Sequence, residues 1–245
     1  MFCDTHCHIL SEYYDDINAI LEESKEAGVS RVINAGYNYE SSKEVIELVK
    51  KYPEMYGVVG LHPENISEDF DYTIFDNLDK KIVGIGEIGL DYHYTKDNKD
   101  KQIEVFERQL DIAEKLNLPV VIHSRDAAGD TLEILKRHHN FGVIHSFSGS
   151  LEMAKEYIKL GFVLGINGVV TFKNCNLGDT LKNIDINSII LETDSPYLTP
   201  VPFRGTQNNP GKMINTAKFV ADIYGVSLEE LAKITNQNIN RIFDI

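Results

Sequence analysis

The sequence lacks the features that would place a protein in a membrane or in an oxidising compartment. It has no apolar run of the roughly 18 residues that a membrane-spanning helix needs, and no basic segment followed by an apolar one at its N-terminus. Only three cysteines occur, Cys3, Cys7 and Cys175, so a disulfide framework is not expected. We therefore expect a cytoplasmic protein with no membrane partner.

Positive charge is also scarce. The chain has 24 Lys and Arg against 38 Asp and Glu, which gives a formal net charge of −14. This balance argues against a protein that coats nucleic acid or anionic membranes non-specifically. It still permits a nucleic-acid substrate that is held locally by metal ions and a few basic side chains.

Linkers and repetitive segments are missing as well. No low-complexity stretch, charge block or Ser/Gly-rich linker divides the chain, so we predict a single domain over residues 1–245. A length of 245 residues matches an eight-stranded α/β barrel, although length alone would also permit two small domains.

What the chain does contain is a short β-rich run followed by a helical segment, repeated through most of its length. Runs that are apolar throughout are typical of parallel strands covered by helices on both faces. The alternation favours a closed barrel or a doubly wound open sheet, and eight units favour the barrel, so we predict an α/β fold, a TIM (β/α)8 barrel. The predicted strands are 2–8, 31–36, 56–61, 82–87, 119–123, 142–145, 162–166 and 188–193, and the predicted helices include 12–27, 40–51, 99–116, 129–138 and 151–160.

Two C-terminal segments lie outside this alternation. Residues 195–212 hold four of the seven prolines, which predicts an irregular loop after the last strand, on the active-site face of a barrel. Ser227 and Glu230 have the spacing of a capping box and precede apolar residues at helical intervals. We predict a final helix that docks on the barrel.

The first predicted strand carries two histidines, His6 and His8, two residues apart. Side chains alternate along a strand, so those at 4, 6 and 8 should face one way and those at 3, 5 and 7 the other. Two imidazoles with this spacing can bind one cation, although a single His-x-His motif is weak support for a metal site.

Four other predicted strands end in a side chain that can bind a metal: Glu87, His123, His145 and Asp194. The carboxyl ends of barrel strands meet at one mouth, where catalytic groups collect. Any one of these residues could be a polar side chain that merely ends a strand. Five strand ends with the same property favour a metal site.

The size of this set predicts two divalent cations, because catalytic Zn²⁺ usually takes only three protein ligands. We assign His6, His8 and Asp194 to the first cation, His123 and His145 to the second, and Glu87 to both. Imidazole and carboxylate donors suit Zn²⁺, Mn²⁺, Fe²⁺ or Ni²⁺, and Mg²⁺ becomes less favourable as imidazoles accumulate.

Seven motifs extend over nearly the whole chain: DTHCH at 4–8, GLHPE at 60–64, GEIGLDYH at 86–93, VVIHSRDA at 120–127, IHSFSGS at 144–150, LETDSPYL at 191–198 and FRG at 203–205. As an ordered set they resemble the TatD family of metal-dependent deoxyribonucleases, which belongs to the amidohydrolase-like barrels. The resemblance implies a TIM barrel, divalent metals, DNA as substrate and the same six ligands. Many related barrels bridge their metals with a carboxylated lysine, whereas this chain offers Glu87, as the TatD pattern does.

The mechanistic hypothesis is phosphodiester hydrolysis by a metal-activated water. The catalytic carboxylates are Asp194, as ligand and general base, and the bridging Glu87. His62, Arg125 and Arg204 are predicted to contact substrate, although His62 could instead support the site by hydrogen bonding and either arginine could form a surface ion pair. Glu192 has the strand parity of Asp194 and is expected to support the metal site without binding metal.

Two alternatives remain open at this stage. The same ligands would serve a metal-dependent amide or ester hydrolase, such as an aminoacyl-tRNA deacylase, because activated water attacks carbonyl carbon as well as phosphorus. A non-enzymatic binding protein is the other alternative, which an intact set of six ligands disfavours. No obligate protein partner is predicted.

Overall fold

Eight parallel strands form the centre of the computed structural model, which describes residues 1–94 and 97–245. Each strand pairs with the next one along the chain, from β1 to β8. The strands are β1 (Phe2–Cys7), β2 (Val29–Ala35), β3 (Met55–Val59), β4 (Ile82–Asp91), β5 (Val120–Arg125), β6 (Gly142–Ile144), β7 (Val163–Ile166) and β8 (Ile189–Leu191).

The sheet closes on itself where the segment after β8 meets β1. The backbone N–H of His8 donates to the carbonyl of Ser195 over 2.7 Å, and the N–H of Asp194 donates to the carbonyl of His6 over 2.9 Å. Cys7 and Ser195 form a parallel bridge at the same point. Strand order and closure confirm the predicted TIM (β/α)8 barrel.

Helices alternate with the strands around the outside. They are α1 (Ile17–Glu26), α2 (Tyr39–Lys51), α3 (Lys99–Leu116), α4 (Ala128–Leu135), α5 (Leu151–Lys159), α6 (Leu177–Leu181), α7 (Met213–Tyr224) and α8 (Leu228–Phe243). The helix α7 follows the proline-rich loop, at a place where no helix was predicted. Within residues 1–94 and 97–245, no helix combines the length and the apolar character needed to cross a membrane.

Apolar side chains pack in two layers, one between strands and helices and one inside the barrel. The inner layer takes a residue from every strand: Cys3, Ile33, Val58, Val83, Val121, Val143, Val163 and Ile190. Ile239, Ile242 and Phe243 at the end of α8 pack against this layer. Most of the strand residues lie near the amino ends of their strands, so α8 closes that end of the barrel and leaves the carboxyl ends open.

The side-chain alternation predicted for β1 is only partly correct. Cys7 packs in the outer layer, as predicted, but Cys3 lies in the inner layer, on the same side of the strand as His6. The pairing of β1 with β2 shifts register between Asp4 and Cys7. Such an irregularity adds a residue to one strand and reverses the alternation beyond it.

The ends of β4 and β8 differ from the predicted ones in ways that affect the proposed ligands. The strand β4 continues past Glu87 to Asp91, because it stays paired with β5 as far as Asp91 opposite Arg125. The strand β8 ends early, at Leu191, so that Asp194 lies in the loop after it. The backbone of Asp194 has φ of 56°, a left-handed conformation that aspartate tolerates better than most residues.

Candidate metal centre

The six side chains predicted as ligands come together at the carboxyl ends of the strands, around the carboxylate of Glu87. His6 and His8 lie at the end of β1, and Glu87 lies within β4. His123 belongs to β5, His145 directly follows β6, and Asp194 lies in the loop after β8. All of them are buried except His123 and Asp194, which are partly exposed at the mouth.

The first group of donors surrounds one oxygen of Glu87. The Nε2 atoms of His6 and His8 lie 3.4 and 3.6 Å from Glu87 Oε2. The same two nitrogens lie 3.8 and 3.5 Å from Asp194 Oδ1, and 3.3 Å from each other. Two imidazole nitrogens and two carboxylate oxygens therefore point into one small volume.

A second group surrounds the other oxygen, Glu87 Oε1. His123 Nδ1 lies 2.9 Å away, His62 Nε2 3.5 Å and His145 Nε2 3.6 Å. The ring of His145 also stacks on that of His6, with centroids 3.7 Å apart, so it lies between the two groups. Each oxygen of Glu87 thus faces different imidazoles, which is the arrangement that a carboxylate shared by two cations requires.

Three of these imidazoles have an oxygen atom close to the ring nitrogen that faces away from Glu87. His8 Nδ1 lies 2.9 Å from the carbonyl of Ala35, His123 Nε2 lies 2.9 Å from Asp91 Oδ2, and His145 Nδ1 lies 2.9 Å from Glu192 Oε1. When the ring is neutral, this oxygen favours the proton on the outer nitrogen, so the other nitrogen presents its lone pair to the centre. His6 has no such acceptor among the described residues.

Of these supporting carboxylates, sequence analysis identified Glu192 but missed Asp91. Glu192 also accepts the backbone N–H of Ser146 over 2.7 Å, so its carboxylate is held in place. Asp91 has the same strand parity as Glu87, and that signal was available in the motif GEIGLDYH. It was missed because β4 was predicted to end at Glu87.

A buried aspartate, Asp4, forms hydrogen bonds with both chain segments that supply the first donor group, the end of β1 and the loop after β8. Its carboxylate accepts the backbone N–H of His6 over 3.2 Å. It also accepts the backbone N–H and the hydroxyl of Thr193, over 3.0 and 2.5 Å. Thr193 precedes Asp194, so these bonds fix the ligand after β8 relative to the ligands of β1.

The charges of the centre are strongly coupled. Burial opposes the charged form of His145, yet the carboxylates of Glu192 and Glu87 outweigh burial and raise its pKa to about 10. Burial acts in the same way on His123, whose hydrogen bonds to Asp91 and Glu87 raise its pKa to about 9. Burial alone would raise the pKa of Glu87, but the surrounding histidines hold it well below its usual value. A cation that binds here must displace protons from imidazoles.

The donors present fit divalent transition metals. Unprotonated imidazole nitrogens and carboxylate oxygens are ligands that Zn²⁺, Mn²⁺, Fe²⁺ and Ni²⁺ accept. At this centre, three sets of side chains bring ligand atoms within 4.8 Å of one another: His6, His8 and Glu87; His6, His145 and Asp194; and His62, Glu87 and His123. A cation bound by both would also relieve the close approach of the Nε2 atoms of His6 and His8.

A cavity of about 710 Å³ opens above this centre. Glu87, His123, His145 and Asp194 lie on its floor, and His62 and Arg125 line its wall. The start of the proline-rich loop contributes Tyr197 and Leu198, which places that loop on the active-site face as predicted. A small substrate group can therefore reach the donor atoms from solvent.

The other predicted substrate residue, Arg204, does not line this cavity. Its guanidinium lies 3.8 Å from the centroid of the Phe172 ring and donates to the carbonyl of Thr199 over 3.1 Å. These contacts stabilise the loop to which Arg204 belongs. The position of Arg204 therefore does not support the predicted contact with substrate. Arg125, by contrast, is exposed at the cavity wall, 5.2 Å from the ring centroid of Tyr94.

Known proteins share both the sequence and the fold of this chain. A family model described as TatD related DNase matches residues 3–244. The uncharacterized metal-dependent hydrolase YabD of Bacillus subtilis is 38% identical over 254 residues, with 100% of each chain covered. YcfH of Escherichia coli K12, also described as a metal-dependent hydrolase, is 34% identical over 252 residues, covering 99% of this chain and 95% of its own.

Solved structures agree with these relationships. The crystal structure of YjjV, a TatD homolog from Escherichia coli K12, superposes with a TM-score of 0.94 at 29% identity, covering 100% of this chain and 98% of that one. A TatD family hydrolase from Entamoeba histolytica has the same fold, with a TM-score of 0.87 at 22% identity and coverage of 100% and 98%. The chain belongs to the TatD family of metal-dependent hydrolases.

Proposed function

We propose that this protein is a deoxyribonuclease that hydrolyses phosphodiester bonds of DNA at a centre of two divalent cations. The observation that carries the proposal is the position of Glu87, whose two oxygens face separate groups of imidazoles at the floor of an open cavity. Paired cations bridged by a carboxylate are suited to in-line displacement at phosphorus. The description of the matching family model supports the same substrate class.

Each cation would have its own set of ligands. His6, His8 and Asp194 would hold the first, His123 and His145 would hold the second, and Glu87 would contact both. When bound, such cations lower the pKa of coordinated water and neutralise charge on the phosphoryl group. Zn²⁺, Mn²⁺, Fe²⁺ and Ni²⁺ suit these donors better than Mg²⁺ does.

Asp194 is the proposed general acid and base. Its side chain is 15% exposed, compared with 5% for Glu87, so it is the acid more open to the cavity. Burial favours its protonated form, but the neighbouring His145, His8 and His6 hold its pKa below the usual value. Asp194 is therefore ionised at neutral pH and can take a proton from the attacking water and pass it to the leaving oxygen.

The wall of the cavity suits a short stretch of nucleic acid. Among the described lining residues, Arg125 is the only arginine or lysine, and it can bind a phosphate next to the one being cleaved. Tyr197 and Tyr94 are 51% and 73% exposed at the rim, where aromatic faces can stack on bases. One cationic contact and a few tyrosines favour the ends of DNA strands or short DNA fragments over long duplexes as substrates.

The test is hydrolysis by purified protein that is stripped of metal and then supplied with Mn²⁺, Zn²⁺ or Mg²⁺. Labelled single-stranded DNA, duplex DNA, RNA and aminoacyl-tRNA are offered in parallel. We expect metal-dependent cleavage of DNA, and cleavage at least about a hundredfold slower by a matched preparation of the Asp194→Asn variant. Release of amino acids from tRNA with intact DNA would instead establish the deacylase alternative.

Metal analysis tests the other alternative, a non-enzymatic protein. We expect about two equivalents of a divalent cation in protein loaded with metal and then dialysed. A chain that binds no cation, and gains no activity from any of the three metals, would be a binding protein.

A further inference from the structure

His62 lies as close to the centre as the residues assigned to the metals. It is buried, with 8% exposure, and its Nε2 atom lies 3.5 Å from Glu87 Oε1. Its ring packs edge-on against that of His123, with centroids 4.4 Å apart. By distance alone, His62 would be a further ligand on the His123 side of Glu87.

The hydrogen bond at its other nitrogen argues against that role. The backbone N–H of Glu64 donates to His62 Nδ1 over 3.2 Å. Pro63 has no N–H, so Glu64 carries the first free N–H of the 3₁₀ turn Pro63–Asn65, and His62 caps that turn. An atom that accepts a hydrogen bond must hold a lone pair. The proton of the neutral ring is therefore on Nε2, the nitrogen that faces the centre.

This arrangement is the reverse of that at His8, His123 and His145. In those three rings an oxygen lies 2.9 Å from the outer nitrogen, so the neutral ring keeps its proton there and its lone pair toward the centre. Binding of a cation at Nε2 of His62 would move its proton to Nδ1, directly against the N–H of Glu64. Two donors would then face each other in a partly buried position.

We propose that His62 binds no metal and instead donates its Nε2–H to a substrate oxygen on the His123 side of Glu87. This role rests on the proposed phosphodiester hydrolysis, in which a non-bridging phosphoryl oxygen is the acceptor. A fixed N–H aimed at an oxygen that gains negative charge in the transition state is an effective form of catalysis. His62 would then complement the cations by binding the phosphoryl group from the wall of the cavity.

The first test counts metal. His62→Phe keeps a ring against His123 but removes both nitrogens, and His123→Phe is the matched control. We expect the His62 variant to retain as much bound cation as the unmodified chain, and the His123 variant to lose about half of it. Equal loss of metal from both variants would make His62 a ligand and overturn the proposal.

A nitrogen–proton correlation spectrum of ¹⁵N-histidine-labelled, Zn²⁺-loaded protein reads the proton position directly. The signals of His62, identified by their absence from His62→Phe, should show protonated Nε2 and bare Nδ1. A spectrum with the proton on Nδ1 would contradict the assignment. This test and the metal count do not depend on activity, so they give a result even if the unmodified chain cleaves no DNA and the proposed function fails.

Kinetics tests the donor role. His62→Phe should lower kcat and kcat/KM for DNA together by about 10²–10³-fold, as expected for a donor that acts in the transition state. His62→Gln, whose amide N–H can reach a similar position, should recover part of this loss. Wild-type kcat in His62→Phe with its full metal content would overturn the role.

Discussion

Asp91 influences the metal centre through a single contact. Its carboxylate lies 2.9 Å from His123 Nε2 and fixes the orientation of that ring toward Glu87. An Asp91→Asn change should therefore weaken binding of one cation by about 10–100-fold, as for other residues that orient a metal-binding histidine. Titration of the metal-free variant against a chelating dye measures the two affinities.

Asp126→Asn provides the matched control. Asp126 is an exposed carboxylate close to the same cavity wall, and it contacts His93 at 3.0 Å rather than a proposed ligand. We expect metal affinities in this variant to match those of the unmodified chain. A similar loss in both variants would mean that general charge, rather than the orientation of His123, determines affinity.

Asp194 combines two proposed roles, so its substitution is best studied at saturating metal. Asp194→Asn should lower kcat by about 10²–10⁴-fold because the amide cannot accept a proton from water. Thermal unfolding and metal content measured on the same sample establish that the fold is intact. Near-normal turnover by the metal-loaded variant would exclude Asp194 as the base.

Among individual residues, those that end a buried strand were the easiest to predict from the sequence. Glu87, His123 and His145 could be selected because each follows an apolar run, and the topology brings such positions together. Arg204 could not be judged in this way, because its direction depends on how an irregular loop packs. Its contact with Phe172 has no periodic signal in the sequence.

Among the elements, α8 has the clearest separate role. Phe243 at its end is buried, with 5% exposure, in the inner layer at the amino end of the barrel. Phe243→Ala should lower the free energy of unfolding by about 3–4 kcal/mol through lost burial and a cavity. Metal affinity should stay the same, because the ligands lie at the opposite end. Denaturant unfolding and metal titration together test both statements.

A matched aromatic substitution on the neighbouring helix α7 serves as control. Phe219 is 41% exposed, so Phe219→Ala should change the free energy of unfolding by no more than about 0.5 kcal/mol. Loss of metal affinity in Phe243→Ala would mean that the two ends of the barrel are coupled.

Element boundaries were predictable only where hydrophobic pattern and pairing coincide. The pattern correctly located β1, but it could not show the register shift that brings Cys3 to the inside. It also predicted that β4 ends at Glu87, whereas pairing with β5 extends that strand to Asp91. Register and strand length depend on neighbouring strands, which a single segment does not reveal.

For the molecule as a whole, we expect metal binding to compete with protonation of the histidine ligands. The pKa values of His123 and His145 in the cation-free protein are about 9 and about 10, and both rings must be neutral to bind metal. Both values are raised above the ordinary value of about 6.5, so at neutral pH the folded chain holds protons that a cation must displace. Metal affinity should therefore increase with pH and level off only above about pH 10.

Calorimetric titration between about pH 6 and pH 9, in buffers that differ in ionisation enthalpy, measures the protons released. Each proton displaced should increase affinity by up to about tenfold per pH unit. Affinity that does not change over this range would mean that the two rings are already neutral in the metal-free protein.

The barrel itself was the most predictable level of structure, because the same β–α unit recurs and each copy contributes to the prediction. Eight units and uniformly apolar strands left few alternatives. The position of α7 was harder to predict, because this helix follows an irregular loop rather than a strand.

Glu87 has a consequence for how the protein matures. A bridging group made from lysine has to be formed after synthesis by reaction with dissolved carbon dioxide, whereas the carboxylate of Glu87 is present as soon as the chain folds. Reconstitution of the apoprotein should therefore need only the cation. It should proceed at the same rate in carefully degassed buffer and in buffer supplemented with bicarbonate, and a dependence on bicarbonate would point to a different bridge.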